Sequence, residues 1–133
     1  MRQILSATLL LLGVFLVFYF SWIPNPSLSR TGLLPTWIAT WTDQDANMNL
    51  RTAVPFVLLG LVGSSWILFT KRTWYWWLIV WLMLTGIVGI AELGQLGLPD
   101  RHFDWGDIMW GCIGALIGMG IVGLTRFFYL WRA

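Results

Sequence analysis

Trp74-Tyr-Trp-Trp-Leu-Ile-Val-Trp-Leu-Met-Leu-Thr-Gly-Ile-Val-Gly-Ile-Ala-Glu-Leu93 decides the fold class. As a helix it is long enough to cross the ~30 Å of hydrocarbon in a bilayer. Its only charge is Glu92, close to one end. Three further apolar runs, about 4–23, 54–70 and 108–131, have the same character. Backbone groups inside lipid have to be satisfied within the segment, so each run is read as a helix. With 58% hydrophobic residues, 11% charged and a mean hydropathy of +0.73, the 133-residue chain is expected to need a bilayer. The expected architecture is all-α: one domain, residues 1–133, forming an integral membrane four-helix bundle. Arg2 ahead of an apolar stretch could open a signal peptide. The first run is longer than such a core and no small-x-small cleavage site follows it, so it is read as a membrane anchor.

Outward from the 74–93 run, the charges set an orientation. If all four runs cross, the N-terminus, the link after the second run and the C-terminus share one side. That side carries Arg2, Lys71, Arg72, Arg126 and Arg132 and no acid, whereas the other carries Arg30, Arg51 and Arg101 with all six acids. The positive-inside rule then places both termini in the cytoplasm, for a multi-pass protein of the bacterial cytoplasmic (inner) membrane. The pI of about 9.1 reflects these anchoring charges and implies no nucleic acid. Trp74, Trp76 and Trp77 with Tyr75 follow Lys71-Arg72, where an interfacial aromatic belt belongs, and Trp22, Trp105 and Trp110 mark the opposite boundary. An aromatic groove for a ligand is the less favoured reading of the same residues.

Between the first two runs, Pro24-Asn-Pro26 reads as loop. Leu33–Trp41 follows, with Trp37 and Trp41 four apart, as on one face of a short interfacial helix. Asp43, Asp45, Asn47 and Asn49 supply caps and turn formers ahead of the second spanning run. Cys112 is the single cysteine and forms no internal disulfide; with the single histidine it matches no metal-ligand pattern, so no metal or cofactor is expected.

The link Glu92-Leu-Gly-Gln95 … Arg101-His-Phe-Asp104-Trp-Gly-Asp107 concentrates polar chemistry at a membrane edge. Ionisable groups there are costly unless paired or wet, which marks a candidate site. Each residue also has a structural reading. Glu92 could pair with Arg101. Asp104 and Asp107 could cap the fourth run and complement its dipole. Arg101 could clamp two helix ends, or hold a phosphate or carboxylate. His102 is read as an interfacial side chain. Small residues suggest close packing: Gly114-x-x-x-Gly118, Gly60-x-x-x-Ser64, Gly86 and Gly89. Asp107, Gly111, Gly114 and Gly118 share one face. Thr85, Glu92 and Gln95 share another, and the simplest assembly sets these two faces together.

The order Glu92-x-x-Gln95, Pro99-x-Arg101, Asp104-x-x-Asp107, Gly114-Ala-x-x-Gly118 resembles the signature of the VanZ-like membrane proteins. Asn49-Leu-Arg-Thr-Ala-Val-Pro55-Phe56 resembles that family's Asn, five residues, Pro, aromatic element. Asp100 stands where the family has glycine before the arginine, and Gly111 where it has asparagine, which removes a polar group from the proposed pocket. The resemblance implies a role near cell-envelope lipids or peptidoglycan precursors; the family's named member is associated with reduced sensitivity to a glycopeptide antibiotic. On this reading Glu92, Gln95, Arg101, Asp104, Asp107 and Asn49 bind a lipid or lipid-linked headgroup at the outer face. One alternative is a small accessory subunit of a larger membrane complex, with the polar knot as structural glue. The other is a membrane enzyme acting on such a headgroup, although no nucleophile, metal set or phosphate loop supports it, and no catalytic residue is assigned.

Overall fold

The computed structural model describes residues 1–25 and 27–132, and the described chain is helical throughout its regular parts. Pro26 of the expected loop and Ala133 at the end of the expected domain lie outside the described residues. Five helices follow one another: α1 (Arg2–Ser21), α2 (Thr36–Thr42), α3 (Met48–Phe69), α4 (Tyr75–Gln95) and α5 (Trp105–Arg132). All but α2 are long and apolar enough to cross a bilayer, and the chain is a multi-pass membrane protein. Of the four, α3 departs most from the expected start, beginning at Met48 rather than Val54. Apolar periodicity alone does not register this polar first stretch, whose Thr52 bonds to α5.

α3 is the hub. It packs most extensively on α5 and also touches α1 and α4. Phe56, Leu59 and Ile67 of α3, Val80, Leu84 and Val88 of α4, and Ala115 and Met119 of α5 form the core. The α3–α5 crossing is close because it is lined by glycine. A Cβ on Gly60 would strike the Ala115 carbonyl, one on Gly114 the Ala53 carbonyl, and one on Gly118 the Val57 carbonyl. Without a hydrophobic drive between helices in lipid, such backbone approach supplies much of the association. The Gly114–Gly118 face therefore meets α3, not α4 as the sequence suggested. Of that face, Gly111 turns to α4, against Val88.

The segment before α3 is folded back on itself. Asp43 accepts hydrogen bonds from the main-chain N–H groups of Leu28 (2.8 Å) and Ser29 (2.9 Å) and from the Ser27 hydroxyl (2.8 Å). Burial alone would push this carboxyl up, but the Ser29 hydroxyl, together with those bonds, holds it well below the usual carboxylate range. They tie a 3-10 turn over Leu28–Arg30 to α2. Trp37 and Trp41 are both exposed on α2, while Ala39 and Thr42 are buried. The link from α3 to α4 is equally tight. Lys71 has φ 52°, and the N–H groups of Lys71 and Arg72 bond back to the carbonyls of Leu68 and Ile67. This is a Schellman end with lysine where glycine is usual.

Candidate functional site

α1, α4 and the entry to α5 meet at the Glu92 end of the bundle. Glu92 is only 2% exposed, Gln95 7% and Arg101 8%, so three strongly polar side chains are taken from solvent together. Such burial is tolerable only when the groups are hydrogen-bonded. Glu92 and Gln95 lie three apart on α4, which stacks them on one face. The Gln95 amide donates to Glu92 Oε1 (2.9 Å) and to the Ser21 hydroxyl of α1 (2.9 Å). The second Glu92 oxygen accepts the main-chain N–H of Asp104 at 3.2 Å.

Arg101 reaches across to the end of α1. Its Nε donates to the Ile23 carbonyl (3.2 Å) and its Nη2 to the Phe20 carbonyl (3.3 Å). The sequence offered Glu92 as its bonded partner, or a clamp on helix ends. Helix ends carry carbonyls without an intrahelical donor, and an arginine fork satisfies two at once. Burial lowers the proton affinity of Arg101 and the nearby Arg51 charge acts the same way, while Glu92 and Asp107 oppose both. The carboxylates thus act on Arg101 through the field, whereas its bonds go to uncharged oxygens.

Asp104 is exposed and caps α5, its Oδ1 accepting the Gly106 N–H at 2.7 Å. Asp107, in the first turn of α5, accepts the Thr52 hydroxyl of α3 at 2.9 Å. His102 and Asp100 are exposed. Asn49 is exposed on the first turn of α3, and among the described residues no hydrogen bond joins it to Glu92, Gln95, Arg101 or Asp107. The cluster accordingly gathers Glu92, Gln95, Arg101 and the Asp104 backbone, with Asp107 held through α3 and Asn49 apart.

Three participants were not anticipated from sequence. Ser21 accepts from Gln95 and donates to the Ala91 carbonyl (3.3 Å); the Trp22 indole N–H donates to that same carbonyl (3.1 Å). Gly94 leaves room for the indole, which a Cβ there would strike. Thr52 is the third. Their only signal is position, as polar groups at the ends of apolar runs.

In chemical terms the site presents a buried carboxylate, a buried guanidinium and an amide that bridges two helices. That equipment suits recognition of a charged or hydroxyl-rich headgroup and equally suits holding helix ends together. No curated protein and no solved structure matches the chain. A family model does, over residues 5–126, which takes in α1 through most of α5 and the whole polar cluster. With the Glu92, Gln95, Arg101 and Asp107 pattern seated at one end of four apolar helices, the chain belongs to the VanZ/LLP1 family.

Proposed function

We propose that this membrane protein sits in the bacterial cytoplasmic membrane with the Glu92 end outermost, and that its polar cluster engages the anionic headgroup of a cell-envelope lipid or lipid-linked precursor. The observation that carries the reading is Arg101. Its guanidinium is buried, has five N–H donors, and makes its two bonds to uncharged carbonyls. A phosphate or carboxylate arriving at the helix ends meets a pre-positioned cation with donors remaining. Glu92, Gln95 and Asp107 supply polar contacts around it.

A second reading is favoured by a separate observation. The bonds of Glu92, Gln95 and Asp107 close on partners from α1, α3 and the α4–α5 link. A cluster complete in itself suits a small structural subunit of a larger membrane assembly.

Nanodiscs containing the protein and either a polyprenyl phosphate or the matching uncharged polyprenol separate the two. Headgroup recognition predicts retention of the phosphate over the alcohol, lost in Arg101→Gln while helical content persists. Equal retention of both lipids would sink it. A stoichiometric protein partner recovered on gentle purification from native membranes would favour the subunit reading instead.

A further inference from the structure

A groove opens between α4 and α5 towards the end opposite Glu92. It is an open trough of about 520 Å3, inside the roughly 300–1,000 Å3 typical of ligand clefts. Trp74, Trp77 and Trp81 line one wall, and Met119, Gly120 and Gly123 the other. The groove exists because of the glycines. A Cβ on Gly120 would meet nothing within 4 Å, and one on Gly123 would only graze Trp77, at 3.8 Å. The Trp81 indole N–H donates to the Cys112 carbonyl (3.3 Å), so its polar handle is satisfied inside the bundle. What faces the groove is therefore almost wholly apolar.

Charge gathers at one end of this groove. Lys71 and Arg72 lie just ahead of Trp74 in sequence. Arg126 follows Gly123 by three residues, on the same stripe of α5 as Met119 and Gly123. All three basic side chains are exposed. Arg72 lies over the Trp76 ring at 4.7 Å from its centroid and 5.8 Å from that of Trp66 of α3, so its cation is held on the α3 side and Lys71 and Arg126 remain for the groove. An apolar, aromatic trough that ends in exposed cations is complementary to a molecule with a long apolar tail and an anionic head.

We infer that the α4–α5 groove seats an acyl chain of an anionic phospholipid whose headgroup rests on Lys71 and Arg126. The tail fills the space left by Gly120 and Gly123 against the tryptophans. The headgroup is recognised by charge, as at basic segments beside a membrane. The site is remote from the Glu92 cluster, so it stands or falls separately from the headgroup reading given for Arg101.

The test is native mass spectrometry of the detergent-purified chain, titrated with dioleoylphosphatidylglycerol or dioleoylphosphatidylcholine. Wild type is expected to retain the anionic lipid in preference to the zwitterionic one. Gly120→Leu fills the trough and should abolish that retention, with helical content unchanged because Gly120 is exposed and open. Lys71→Gln with Arg126→Gln should reduce the preference by about tenfold or more, given the contribution of each basic residue near an anionic surface. Equal retention of both lipids by wild type would overturn the assignment. So would undiminished phosphatidylglycerol binding in either variant. A dimer signal that disappears in Gly120→Leu would show that a second copy occupies the groove, and would overturn it too. Should Gly120→Leu fail to fold, the double charge variant decides alone, since both its positions are exposed.

Discussion

The carboxylate of Glu92 accepts the main-chain N–H of Asp104 at 3.2 Å, so an acid near the end of α4 also closes the entry to α5. The same side chain takes the Gln95 amide on its other oxygen. Both carboxylate oxygens are thus committed, and Arg101 is bonded elsewhere.

Glu92→Gln turns one acceptor into a donor facing either the Asp104 N–H or the Gln95 amide. It is expected to cost about 1–3 kcal/mol, the range for a buried polar group left unmatched. Arg101→Gln should cost a similar amount by releasing the carbonyls of Phe20 and Ile23. Because the two side chains do not share a bond, their coupling in a double-mutant cycle should stay below about 1 kcal/mol. Unfolding in mixed micelles, followed by far-UV circular dichroism, measures all three variants. A coupling well above that value would reveal a direct ion pair.

The glycines divide into two classes. Gly60→Ala, Gly114→Ala and Gly118→Ala each drive a methyl into a carbonyl of the facing helix, and each should destabilise by about 1–3 kcal/mol. Gly86→Ala and Gly89→Ala meet nothing within 4 Å and should be neutral or stabilising by up to about 1 kcal/mol, since alanine is the better helix former. The same micelle titration compares them, and similar costs in both classes would contradict the α3–α5 crossing.

Asp43 supplies a pH dependence. Its folded carboxyl sits below the ordinary 3.8. A group whose folded value is depressed contributes stability above its unfolded value and loses it as pH falls through the folded one. The tie between the Leu28–Arg30 turn and α2 should hold at pH 5 and weaken progressively only below the ordinary carboxylate range. Amide exchange at Leu28 and Ser29 reports it. Asp43→Asn at neutral pH should raise exchange at both amides, and loss of protection already at pH 5 in wild type would count against the assignment.

Orientation can be read with thiols. In a Cys112→Ser background, Ser29→Cys should react with an impermeant reagent in intact cells and Thr73→Cys should not. Both positions are exposed. The reverse pattern would put the termini outside.

The spans were legible in the sequence because a bilayer imposes a length that apolar runs such as Trp74–Leu93 reveal directly. The Trp37 and Trp41 pair was legible for a related reason, since four-residue spacing makes one face of a helix. Glu92 and Gln95 stood out because a membrane edge makes polar groups conspicuous. The partners of the Gly114–Gly118 stripe were not legible, as small residues license close approach without saying to which helix. Nor was the destination of Arg101. Main-chain carbonyls are present at every residue, so Phe20 and Ile23 carry no mark in their side chains of the role their backbones take. Asn49 shows the converse case, in which a motif position is conspicuous in sequence yet lies outside the hydrogen-bonded cluster.

The fastening of α1 has a temporal side. Only Ser6 of that helix is buried, and the carbonyls of Ile23, just past its end, and Phe20 wait on a guanidinium 78 and 81 residues further along. At a synthesis rate of ~5–20 residues per second, roughly 4–16 s separate the emergence of the two ends. During that interval α3 and α4 are made and become available to pack on the first helix. The end of α1 is thus offered the Ala91 carbonyl first and the Arg101 guanidinium afterwards.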